Sequence, residues 1–80
     1  MDQGEIYSDL ETIFRDVLVN DDIHLTPTTT AQDVEGWDSF NNISIMIAVE
    51  SQFKIKLTTL EIESFANVDD LVQTIRRKIK

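Results

Sequence analysis

Eighty residues with fifteen acidic and seven basic side chains give a formal charge of -8, and a chain this short buries only ~60% of its unfolded surface, enough for one modest core but not for a deep enclosed active site. The lack of cysteine excludes a disulfide framework, a thiolate metal site and a cysteine nucleophile, and His24 alone builds no metal cluster; the acidic excess disfavours nucleic acid and anionic membranes and favours cationic protein partners. With no apolar run near the ~20 residues of a membrane span, and an acidic start, Met1-Asp2-Gln3-Gly4-Glu5, unlike a signal peptide, the expectation is a monomeric, cytoplasmic single domain over residues 1–80.

Ile6, Leu10, Ile13, Phe14, Val17 and Leu18 recur at three- and four-residue spacing, which predicts a helix from about Glu5 to Val19 with Arg15 and Asp16 facing away from its apolar stripe. From about Asn20 to Asp38 the periodicity is lost. Thr26-Pro27 and Thr28-Thr29-Thr30 break any helix and Gly36 marks a turn. So long a loop must be pinned or functional, and Ile23, Leu25, Ala31 and Val34 are expected to turn inward, with Thr30 capping a short turn at Ala31-Gln32-Asp33. A second helix is expected from about Ser39 to Gln52 or Phe53, its first turn capped by Asp38 or Ser39. Its middle reads apolar on nearly every side, which places it at the centre of the core or leaves part of it facing a ligand or partner.

Lys54-Ile55-Lys56-Leu57 has no strand to pair with and reads as a connector with Ile55 and Leu57 docked inward. Thr58-Thr59-Leu60-Glu61 has the spacing of a capping box and opens a short helix to about Ser64, with Phe65 anchoring its exit. Asn67 caps a last helix whose stripe is Val68, Leu71, Val72, Ile75 and Ile79. Asp69 and Asp70 begin it and Arg76, Arg77, Lys78 and Lys80 lie near its end, as the helix dipole favours. The predicted fold is an all-α four-helix bundle, three helices longer and one short, with a long loop after the first.

Ser39 lies where an acidic turn gives way to the apolar run, with no histidine beside it. A phosphodiester on its hydroxyl would meet unpaired amides and the positive end of a helix dipole. Gly36 permits a sharp approach there, and Trp37 anchors the turn by its area. Three other readings stay open. Ser39 is an ordinary helix cap in a helical interaction module; or it pairs with His24, oriented by Asp38 or Asp33, as a small hydrolase, for which the chain leaves little room; or the carboxylates of residues 33–38 attract a divalent ion weakly, without the twelve-residue calcium loop that a tight site would use.

Gly36-Trp37-Asp38-Ser39-Phe40, followed by Ile43, Ile45, Ala48, Val49-Glu50 and Phe53, resembles the acyl carrier protein family. The likeness extends through Ile55 to Leu57, Thr58-Thr59-Leu60 and Val68-Asp69-Asp70-Leu71. It implies a non-catalytic carrier with a 4'-phosphopantetheine arm, taken from coenzyme A, on Ser39. Asp38 is its companion, and Gly36, Trp37 and Phe40 flank it. The implied partners are a phosphopantetheinyl transferase, an acyl-loading ligase or transferase, and pathway enzymes. The resemblance also implies an acyl cavity, for which Phe40, Ile43, Met46, Ile47, Ile62 and Val68 are candidates, and a partner-binding surface including Asp38, Asn41, Ser44, Glu61 and Glu63. Phe40 stands where housekeeping fatty-acid carriers have leucine, and Asn41, Ser44, Ser51 and Gln52 replace their acidic helix surface. The chain therefore looks like a carrier for a specialised pathway, the alternatives being a housekeeping fatty-acid carrier or a peptidyl or aminoacyl carrier.

Overall fold

The computed structural model describes residues 2–79, so Met1 and the basic Lys80 lie outside it. Four α-helices follow one another: α1 Gln3–Leu18, α2 Ser39–Phe53, α3 Thr59–Ser64 and α4 Val68–Lys78, with a single 3-10 turn, Ala31–Asp33, in the first loop. No strand occurs among the described residues.

The first helix begins two residues earlier than its apolar pattern predicts. Asp2 accepts from the Glu5 amide at 2.8 Å, and the Glu5 carboxylate reaches back to the Asp2 amide. This reciprocal cap satisfies donors that would otherwise be orphaned. Ile6, Leu10, Ile13 and Phe14 are buried against α2 and α4. From α4, the expected Val68, Leu71, Val72 and Ile75 complete the core, and Thr74 joins them with its hydroxyl donating to the Asp70 carbonyl at 2.9 Å. Asn67 caps α4 through the Asp70 amide at 3.0 Å.

Ile23, Leu25 and Val34 of the long loop are buried as expected, but Ala31 is exposed. Polar groups of α1 hold the same loop. Arg15 Nε donates to the Ile23 carbonyl at 2.9 Å and a Glu11 carboxylate oxygen accepts from the Leu25 amide at 2.9 Å. Farther on, the Thr29 and Pro27 carbonyls accept from the Val68 and Asp69 amides at 2.8 and 3.1 Å. The loop thus satisfies the first free amides of α4 and ties the C-terminal half of α1 to the start of α4.

Of the two expectations for the apolar second helix, the structure matches the one that leaves part of it uncovered by the other helices. Ile45, Met46, Val49 and Phe53 are buried, whereas Phe40, Ile43 and Ile47 remain 79%, 61% and 61% exposed. These three lie at i, i+3 and i+7, a single stripe on the helix. α1 covers the opposite side, and six-residue α3 is too short to cover the remainder.

Candidate functional site

Val34 to Ser39 form the entry to α2. The Trp37 amide donates to the Val34 carbonyl at 3.2 Å, and the Asp38 amide to the Gly36 carbonyl at 3.1 Å. Gly36 has φ +88°, a backbone setting that a side chain would strain. Trp37 is half-buried and meets Phe14 edge-on, with ring centroids 4.7 Å apart and planes at 89°.

Asp38, and not Ser39, caps the helix: its carboxylate accepts from the Asn41 amide at 2.8 Å, and its carbonyl accepts from the Asn42 amide at 2.8 Å. Ser39 is exposed, and its hydroxyl makes no hydrogen bond among the described residues. The capping duty falls on a neighbour, so the serine oxygen is free for chemistry. The imidazole of His24 instead faces Arg15 at 3.4 Å and Glu11 at 4.0 Å. Among the described residues no group of three or more metal-ligating side chains is gathered, the 33–38 carboxylates included.

A partly open cavity of about 390 Å³ lies beside Ser39. Met46, Ile62, Trp37, Phe65 and Leu71 supply its apolar wall; Asp38, Ser39, Asn42, Ala31, Ala66 and Asn67 complete the lining. Met46 and Ile62, of the six residues expected there, line it. Phe40, Ile43 and Ile47 do not, because helical spacing turns them to solvent. Val68 does not either; it is wholly enclosed in the core between the helices. Phe65 and Leu71 were legible only as an anchor and a stripe position. Their part in a cavity depends on how α3 and α4 splay, which periodicity does not encode.

The surface residues expected to meet partners divide into two groups. Ser44 and Glu63 are exposed. Asn41 is occupied, its Nδ2 donating to the Gly36 carbonyl at 2.7 Å. Glu61 accepts from the Thr58 amide at 2.9 Å and pairs with Lys78 Nζ at 3.1 Å, so it fastens α3 to α4. Those contacts, the Thr58 amide first and Lys78 next, hold the Glu61 carboxyl below the ordinary glutamate range. A depressed folded-state pKa contributes stability above the unfolded pKa, and that contribution is lost as pH falls through the folded value. Glu61→Gln should therefore melt lower than the native protein at neutral pH. The gap should close as pH drops below about 4.3, the free glutamate value. A gap that stays constant across this range in circular-dichroism melts would rule out the charged tie.

No family model matches the chain. An acyl carrier protein of Thermotoga maritima is 28% identical over 75 residues, covering 94% of this chain and 93% of that protein. The solution NMR structure of a holo acyl carrier protein from Geobacter metallireducens superposes with a TM-score of 0.83 and 35% identity, covering 90% of this chain and 83% of that one.

Proposed function

Because the chain belongs to the acyl carrier protein family, we propose that Ser39 bears a 4'-phosphopantetheine arm and that the chain is a non-catalytic carrier of acyl groups for a specialised pathway. The observation that carries this reading is the exposed, unbonded Ser39 hydroxyl at the start of a fifteen-residue helix whose cap is its neighbour Asp38. The residues fit the group. A phosphodiester on Ser39 gains from the helix dipole, and the cavity beside the serine offers an apolar wall to an aliphatic cargo. When bound, the arm supplies the thiol that a chain without cysteine lacks, and this thiol holds the cargo as a thioester. Incubation with coenzyme A, magnesium and a broad-specificity phosphopantetheinyl transferase should add one arm to the native chain by intact mass. An unchanged mass would overturn the reading.

The surface of α2 supports the specialised role. Between Asp38 and Glu50 it carries no acidic residue. Glu50 itself is turned to the Leu57 amide, which donates to it at 2.8 Å. A partner meeting this helix beside Ser39 finds Phe40, Ile43 and Ile47 instead of carboxylates. Charge steering by α2 is then weak, and apolar contact carries recognition. Housekeeping elongation enzymes with basic docking patches should use the loaded carrier poorly.

Ser44→Glu should raise their kcat/KM at low salt. Asn41 is unsuited to the same test because its amide holds the Gly36 turn. A single rim charge is worth about 0.2–1 kcal/mol, so the gain should be about fivefold or less and should fade with added salt. Full activity of the native carrier with those enzymes, unmoved by Ser44→Glu, would return it to general fatty-acid synthesis.

A further inference from the structure

We propose that Asn41 and Asn42 are positioning residues that clamp the Gly36-Trp37 turn onto α2 and so fix the Ser39 hydroxyl for the transferase; this rests on Ser39 being the attachment site. The two amides act in opposite senses. Asn41 donates, Nδ2 to the Gly36 carbonyl at 2.7 Å. Asn42 accepts, its Oδ1 taking the Trp37 indole N–H at 2.8 Å. The partners dictate these orientations, since a carbonyl only accepts and an indole N–H only donates. Asn41 therefore holds the backbone of the turn, and Asn42 holds its ring.

Phe14 closes the clamp by meeting that ring from α1 at 4.7 Å. Ser39 lies in sequence between the turn and the two asparagines, so the segment that carries it is fastened on both sides. Gly36 needs such fastening. Its backbone freedom, used here at φ +88°, would otherwise let the turn sample other shapes. A nucleophile in a wandering turn is competent only part of the time, and its apparent reactivity falls by that fraction.

The clamp makes a prediction that a general charge effect cannot make. Asn41→Asp and Asn42→Asp each add one negative charge, at adjacent positions, to nearly the same shape. Asn41→Asp removes the donor and sets a carboxylate against the Gly36 carbonyl. Asn42→Asp keeps an acceptor for the indole N–H. The experiment measures transferase kcat/KM for arm addition from coenzyme A in the native chain, in both aspartate variants and in Asn42→Leu, with circular dichroism to verify that each is folded. In parallel, NMR follows solvent exchange of the indole N–H of Trp37, the only tryptophan.

Asn42→Asp should stay within about twofold of native, while Asn42→Leu, which leaves the half-buried indole N–H unmet, and Asn41→Asp, which sets a carboxylate against the Gly36 carbonyl and releases the turn, should each lose about tenfold. Indole exchange should accelerate in Asn42→Leu and not in Asn42→Asp. Equal losses in the two aspartate variants, or native rates in all three, would overturn the clamp. A native chain that accepts no arm would instead overturn the attachment site.

Discussion

Ser39→Ala should accept no arm at all under conditions where the native chain is fully converted, and it should remain folded. The structure separates these two outcomes. Chemistry is lost completely because the substitution removes the only atom proposed to form the phosphodiester, and no neighbour can replace it: Asp38 carries a carboxylate and Phe40 a ring. Stability is spared because Ser39 does not cap α2. A cap exchanged for alanine costs about 1 kcal/mol, and here that cost would follow from Asp38→Ala, whose carboxylate holds the Asn41 amide. Ser39→Ala should therefore melt within a few degrees of native, and Asp38→Ala measurably lower. An arm found on Ser39→Ala would remove the site assignment. A large drop in its melting temperature would show that the hydroxyl has a structural duty.

Much of the fold can be read directly from residue spacing, because each helix carries both its stripe and its punctuation. Thr58 and Glu61, Asn67 and Asp70, and the stripe from Val68 to Ile75 announce α3 and α4 with local chemistry alone. The Asp2–Glu5 cap has the same form but lies ahead of the first apolar residue, where a periodicity reading has not yet begun. Long-range contacts are less legible. Arg15 reads as facing away from the apolar stripe, yet it binds loop backbone eight residues away, and Glu11, which carries no signal in the spacing, binds loop backbone fourteen residues away. The apolar excess of α2 is ambiguous for a physical reason. A hydrophobic side chain on a helix fits a core, a cavity or an uncovered face equally well, and only the placement of α1 and α3 decides which. Met46 meets the cavity, Ile45 the core and Ile47 the solvent, although the three are consecutive. The asparagines pose the same difficulty. In sequence Asn41 is a missing charge; in the structure it is a hydrogen-bond donor already in use.

Phe14→Ala should be among the most damaging single substitutions, and its effect should reach the attachment site. Phe14 is fully buried, and it touches the turn that carries Ser39 through Trp37. Truncating a buried phenylalanine removes its transfer free energy and leaves a cavity, together about 3–5 kcal/mol. Against a total of about 5–15 kcal/mol for a domain, that is a large share. For a chain of this size the melting temperature should fall by roughly 12 °C or more.

The loss is not confined to the core, because the indole ring of Trp37 loses its edge-on partner and one wall of the turn opens to water. Tryptophan emission should move to longer wavelength below the melting transition, which global unfolding cannot explain. Phe14→Leu separates the two effects. It keeps much of the buried volume, so it should recover at least half of the lost stability, while leaving the ring contact broken and the emission shifted. If Phe14→Ala melted within a few degrees of native, α1 would not be the support on which the entry to α2 rests. If Phe14→Leu restored emission as well as stability, simple filling of space rather than the aromatic contact would hold Trp37 in place.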